Sequence, residues 1–150
     1  MLAKMKQAGI YCVAYGFESG SKKVLDVVTK GYKQEAMQKA VKMTYDAGLY
    51  IIGNFIFGLP DDDYESMRET LDLAKELNCE LVNFYCAMAY PGSQLYDLAL
   101  KNGWPLPKNW SGYSQYSVDT TPYPQTISHR RRCCVSATTP SKFISALRGI

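Results

Sequence analysis

Three short stretches of this chain combine residue types and spacings that could do chemistry. Tyr15-Gly16-Phe17-Glu18-Ser19-Gly20-Ser21 places a carboxylate and two hydroxyls directly after an apolar run. At such a corner, Glu18 can accept hydrogen bonds from the hydroxyls of a ribose, and Ser19 can cap the next helix or add a contact. The same residues also fit a capped helix start with a solvated glutamate. The second stretch, Gly53-Asn54-Phe55-Ile56-Phe57-Gly58-Leu59-Pro60, carries glycines five apart. Glycine within a strand marks a close backbone approach or a bulge. Gly53 to Gly58 could therefore present backbone and apolar surface to a flat adenine, or could be a bulge followed by a turn. Asp61, Asp62 and Asp63 come next and read as helix capping rather than metal ligation. The third stretch, Ala89-Tyr90-Pro91-Gly92-Ser93-Gln94-Leu95-Tyr96, is a tight turn with Ser93 as an N-cap. Asn83 and Tyr85 lie on the run before it, with their faces left open by sequence alone.

Other chemistries have little to stand on. His129 is the single histidine, so a Ser-His-Asp or histidine-metal mechanism is disfavoured. The five cysteines, Cys12, Cys79, Cys86, Cys133 and Cys134, match no zinc or iron–sulfur spacing, and their odd number argues against a disulfide framework. Cys12 and Cys86 fall in apolar runs, as small buried thiols do.

The elements that must position these corners form a repeated unit. Lys4 to Gly9 leads into the run Ile10–Phe17, Met43 to Gly48 into Leu49–Phe57, and Ala74 to Asn78 into Leu81–Ala89. Each is a helix end, a terminating Gly or Asn, and a strand. Ala36, Met37, Ala40, Val41, Thr44 and Ala47 form a stripe over a helix at about Lys33–Ala47, and Met67, Leu71, Ala74 and Leu77 one over Asp63–Leu77. Shorter helices are expected around Val24, Leu25 and Val28, and around Leu95 to Ala99, ending near Gly103. The near-continuous apolar strands predict a parallel sheet covered by helices. Strand and helix alternate three times, which is the pattern of a βα barrel or a doubly wound sheet. In a βα barrel, functional groups sit where strands end, and that rule selects the same three corners.

Taken in order, Gly16-Phe17-Glu18-Ser19-Gly20-Ser21, Lys30-Gly31, Ala47-Gly48, Gly53–Pro60 and Tyr90–Tyr96 resemble the radical S-adenosylmethionine (SAM) superfamily, in the subgroup often fused to a cobalamin-binding domain. The likeness runs from about Met1 to Gly103. It implies an α/β fold: a partial (βα) barrel fragment of about three parallel βα units, the fourth to sixth of a six-unit barrel, followed by an irregular tail. It also implies cofactor contacts. Glu18 and Ser19 would meet the SAM ribose, and Gly53, Asn54, Phe55 and Gly58 belong to the strand motif along the adenine. In complete enzymes a [4Fe-4S] cluster bound by CxxxCxxC cleaves SAM, and the 5′-deoxyadenosyl radical abstracts a hydrogen atom from the substrate. That motif is absent from this sequence, as is the glycine motif that grips the methionine end. Both are expected upstream of Met1, so no catalytic or metal residue is assigned, and the chain by itself is expected to be inactive. The resemblance leaves open whether the whole enzyme also uses cobalamin, and the small-molecule substrate is not legible. The alternative is a non-catalytic βα module binding a nucleotide or a partner. An aldolase or hydrolase barrel would need a lysine or metal cluster at its strand ends, and none is found.

The remaining expectations concern organisation and partners. Residues 1–103 form the half barrel, 104–124 a loop packed by Pro and aromatics, and 125–150 an irregular tail. Residues 1–124 hold twelve basic against fourteen acidic side chains, whereas 125–150 hold five basic ones and no acid. The codons of Cys133 to Ala146, shifted by two bases, can spell Leu-Arg-Phe-Arg-Asp and an apolar continuation, like the closing helix of the family. A frameshift after about Pro124 is therefore expected, and nucleic-acid binding is not. No apolar stretch is long enough to span a membrane, and no signal peptide is evident, so a cytoplasmic location is expected. A half barrel leaves strand edges open, which predicts self-association.

Overall fold

The computed structural model describes residues 1–28, 31 and 34–121. Its elements are α1 (Leu2–Gln7), β1 (Cys12–Glu18), α2 (Lys22–Val27), α3 (Gln34–Asp46), β2 (Tyr50–Phe57), α4 (Tyr64–Leu77), β3 (Leu81–Cys86), α5 (Gln94–Asn102) and a 3₁₀ turn at Trp110–Tyr113. The three strands run parallel in one open sheet, in the order β1-β2-β3. The helix-ending residues foreseen from sequence, Gly9, Gly48, Asn78 and Gly103, all adopt positive φ. A left-handed residue there closes the last turn and sends the chain into the next strand. Lys30 and everything from 122 onward, including His129, Cys133 and Cys134, lie outside the described residues.

The chain divides into two compact units, Met1–Phe84 and Tyr85–Ile150. In the first, β2 alternates strictly. Ile51, Gly53, Phe55 and Phe57 are buried, whereas Tyr50 is exposed and Ile52, Asn54 and Ile56 are half-buried. The core gathers Phe17, Ile51 and Phe55 with Leu25, with Met37 and Val41 of α3, and with Leu73, Ala74 and Leu77 of α4. Rings stack through it from Tyr15 to Phe17, Phe55 and Phe84, with centroids 5.5–5.7 Å apart. Burying each such side chain is worth about 1.5–3 kcal/mol. The core lies on one face of the sheet, and the other face leaves Ile52 and Ile56 half-buried and Ala14 and Tyr50 exposed, so β2 alternates where a near-continuous apolar run is expected.

α4 starts on a reciprocal cap. Asp63 accepts the Ser66 N–H at 2.9 Å, and the Ser66 hydroxyl accepts the Asp63 N–H at 2.7 Å. Its buried face is more polar than the expected stripe. Leu71 is only half-buried, while Ser66, Thr70 and Leu73 are buried. Near the starts of the strands, the Glu80 carboxylate accepts the Ile51 N–H at 2.8 Å and the Tyr45 hydroxyl at 3.1 Å. The Ile51 bond holds Glu80 below the usual carboxylate range. Partial burial, then the Glu80 contact, pushes the Tyr45 phenol up to about 12.

In the second unit, the Ser93 hydroxyl accepts the Tyr96 N–H and caps α5, as its sequence position predicts. In residues 104–121, Tyr113 stacks on Tyr90 with ring centroids 6.1 Å apart and meets Trp110, which is itself 80% exposed. Polar contacts also order the segment. The Gln115 amide accepts the Cys86 N–H at 3.1 Å and donates to the Cys86 carbonyl at 2.7 Å, as a neighbouring strand would. No helix among the described residues is long and apolar enough to cross a membrane.

Candidate functional site

The first two corners lie together at the C-terminal ends of β1 and β2, within the first unit. The two strands pair in register from Cys12↔Tyr50 to Gly16↔Asn54, and then β1 bulges, so that Glu18 rather than Phe17 pairs with Phe55. Phe17 stays on the core face that it shares with Val13 and Tyr15, and the bulge releases Glu18 from strand alternation. Glu18 takes a φ of 63°, and the Ser19 N–H closes on the Phe17 carbonyl at 2.8 Å. A three-residue turn with positive φ at its centre is uncommon for a side chain of this kind.

This turn folds the Glu18 carboxylate back along its own strand. A Cβ at Gly16 would lie 2.7 Å from Glu18 Oε1, so the carboxylate rests over the bare Gly16 backbone. Gly16 is exposed and alternates with the core residues Tyr15 and Phe17, which places it on the open face of the sheet. Its register partner Asn54 lies on that face too. The Asn83 amide donates to Asn54 Oδ1 at 3.0 Å, which puts Asn83 beside it. The open face therefore carries a carboxylate, an exposed glycine and a pair of amides next to Ile52 and Ile56.

The other expected contacts fall differently. Ser19 is fully buried, and its hydroxyl meets the Thr70 hydroxyl at 3.0 Å and accepts the Ser21 N–H at 3.0 Å. It anchors the corner to α4, and that engagement leaves no hydroxyl for a ribose. Phe55 is fully buried, so only its backbone is available on the open side. Gly53 is indeed closely approached, but by Phe17, Phe55 and Cys79 at 3.3–3.4 Å from its would-be Cβ. Its lack of a side chain makes room for the aromatic core. Gly58 adopts φ 80° and donates its N–H to Asp62 Oδ2 at 2.8 Å.

Asp62, Ser66 and Thr70 were not singled out as site residues, yet they support both corners. Asp62 is 8% exposed, and burial raises its pKa although hydrogen bonds from Ser66 and Gly58 oppose the shift. Ser66 and Thr70 share one face of α4 by their i, i+4 spacing, and Asp62 lies just before the helix N-cap, four residues from Ser66. Gly20 is the remaining unread residue. A Cβ there would meet the Glu69 carbonyl oxygen at 2.4 Å, so the corner packs directly on the α4 backbone.

No family model matches the chain. Individual relatives do. An uncharacterised methyltransferase of Pyrococcus horikoshii is 36% identical over 110 residues, covering 73% of this chain and 24% of the relative. A bacteriochlorophyllide d C-8(2)-methyltransferase of Chlorobaculum tepidum is 29% identical over 74% of the chain and 25% of its own length. An anaerobic magnesium-protoporphyrin IX monomethyl ester cyclase of Rubrivivax gelatinosus is 28% identical over 64% of the chain and 17% of its length. The chain thus matches no more than about a quarter of each of these relatives. The ordered corner motifs, the open parallel sheet and these matches together fit part of a radical SAM protein of the cobalamin-associated group.

Proposed function

We propose that this chain is the ribose- and adenine-facing part of a radical SAM enzyme. In this reading Glu18 accepts the ribose hydroxyls, and Asn54 with the backbone of Gly53 to Gly58 flanks the adenine. One observation carries it: the Glu18 carboxylate lies over the bare Gly16 backbone on the open face, where Asn54 is the register partner. A carboxylate above an uncluttered strand, with amides and aliphatic side chains beside it, suits a diol joined to a flat ring. Phe55 contributes through its backbone alone, and Ser19 only by holding the corner.

The residues do not fit the iron–sulfur cluster. Among the described residues, no three His, Cys, Asp or Glu side chains gather into a metal site. The chain by itself is proposed to be unable to start radical chemistry. Cobalamin enters through the resemblance only. The reaction of the whole protein is proposed to be methyl transfer, the activity named for two of the three relatives above.

Calorimetric titration of the 150-residue chain with S-adenosylhomocysteine tests the site. Binding is expected, and Glu18→Gln should weaken it about tenfold by removing a charge-assisted acceptor. A wild-type chain that does not bind, or a variant that binds equally well, overturns the proposal. Anaerobic reconstitution with iron and sulfide should produce no cluster absorbance. Among the described residues β1 has one strand neighbour, so its other edge is proposed to pair with a second copy. Sedimentation showing a monomer across the accessible concentrations would refute that pairing.

A further inference from the structure

We infer that Asp62 and Thr70 are positioning residues, which clamp the Glu18 corner and the Gly58 corner to the same face of α4 and hold the two in fixed relation. The inference rests on the reading of the open face as an adenosine site, but its geometry is independent of the ligand.

The clamp is continuous and fully satisfied. Thr70 Oγ1 donates to the Ser66 carbonyl at 2.9 Å and accepts the Gly20 N–H at 2.9 Å. Its proton being committed, the contact with Ser19 at 3.0 Å is one in which the Ser19 hydroxyl donates. Ser19 Oγ then accepts the Ser21 N–H. One turn earlier, the Ser66 hydroxyl donates to Asp62 Oδ1, and Asp62 Oδ2 accepts the Gly58 N–H at 2.8 Å. Ser19, Thr70, Ser66 and Asp62 are exposed by 0, 1, 3 and 8%. Water is thus a poor substitute for any of these partners, and each deletion leaves a buried group unpaired.

The consequence for the site lies in the backbone of Glu18. A left-handed glutamate persists only where its surroundings over-determine it. Here the residues that follow it do so: Ser19 is buried on Thr70, and Gly20 sits so close to the Glu69 carbonyl that no side chain fits. Releasing the Ser19–Gly20 dock frees Glu18 to return to extended geometry, which withdraws its carboxylate from Gly16. Releasing Asp62 frees the Gly58 turn at the end of β2.

The test compares Thr70→Val, which removes the hydroxyl at constant shape, with Thr70→Ser, which restores it, in the 150-residue chain. Backbone amide exchange and chemical shifts are read alongside titration with S-adenosylhomocysteine. In Thr70→Val, the Gly20 amide should exchange faster, the Glu18 amide should shift, and affinity should fall about tenfold. Thr70→Ser should stay near wild type. A Thr70→Val chain with faster Gly20 exchange but unchanged Glu18 shift and affinity overturns the clamp. Should wild type not bind the probe, the adenosine reading fails and the amides alone decide: a moved Glu18 amide supports the clamp, and a perturbation confined to Gly20 and Ser21 refutes it. Asp62→Asn provides a second variant if Thr70→Val does not fold. It should loosen the Gly58 amide and weaken the same probe, and an unaffected Gly58 amide counts against the proposal.

Discussion

The two faces of the sheet in the first unit use neighbouring residues for opposite ends. Along β2, Ile51, Gly53, Phe55 and Phe57 are buried, while Ile52, Asn54 and Ile56 stay half-buried on the other side. The same division runs along β1, where Tyr15 and Phe17 stack on the core and Gly16 between them is exposed under the Glu18 carboxylate. A period of two lets the side chains of one strand divide between a core and a candidate site, with only backbone shared between them. Stability and binding should therefore separate by parity, and even the two glycines should follow it.

The largest effect expected from that division is at Phe55. Phe55→Ala should cost about 3–5 kcal/mol in urea unfolding, the usual loss for an aromatic removed from a packed core. Asn54→Ala, one residue away, should cost about 1 kcal/mol, the worth of its hydrogen bond with Asn83. Equal losses at the two positions would break the comparison.

The glycines make a finer test. Gly53→Ala should destabilise by about 1–3 kcal/mol, because its methyl group meets Phe17, Phe55 and Cys79 in a close-packed interior. Gly16→Ala should alter stability by no more than about 0.5 kcal/mol, since only the end of a flexible glutamate must move. It should nevertheless weaken binding of S-adenosylhomocysteine as Glu18→Gln does. If Gly16→Ala binds as well as wild type, the carboxylate's position over Gly16 is irrelevant to the ligand.

A smaller effect is expected at the other end of the strands, in the Glu80–Tyr45 contact. The Glu80 pKa is lowered in the folded state. Its contribution is therefore present above the usual carboxylate range and lost as pH falls through the depressed value. Tyr45 is raised from 10.0 to about 12, so its contribution is present below pH 10 and lost as pH rises toward 12. Glu80→Gln should be less stable than wild type at neutral pH, with the gap closing in acid. Tyr45→Phe should show its gap closing in alkali. A gap that is flat with pH in both variants would mean that the contact does not stabilise the fold.

Much of this was legible in advance, because it depends on local chemistry. Gly9, Gly48, Asn78 and Gly103 announced the helix ends, since only residues at ease with positive φ close them readily. Asp63 and Ser93 announced the starts of α4 and α5, and the strands followed from their apolar runs. The corners were legible as corners, and Glu18 and Asn54 do lie on the open face. The neighbours of other corner residues were not legible. Ser19 is buried on Thr70, and Gly53 is approached by Phe17, Phe55 and Cys79. Composition tells that a hydroxyl or a bare backbone is present, not what comes to meet it.

The sequence by itself determined the order of helices and strands, the capping residues, the resemblance to radical SAM proteins and the absence of a CxxxCxxC motif. These follow from neighbours within a few residues, whose preferences act before any distant contact forms. Only the tertiary structure decided which face of each strand meets the helices, that a bulge frees Glu18 to lie over Gly16, and that Ser19 and Gly58 are held through Thr70 and Asp62. Some of those outcomes join partners far apart in the chain, as Ser19 and Thr70 are, and even the near pairs Glu18–Gly16 and Gly58–Asp62 are set by the bulge and by burial against α4. Packing selects such pairs, and local propensity carries no record of them.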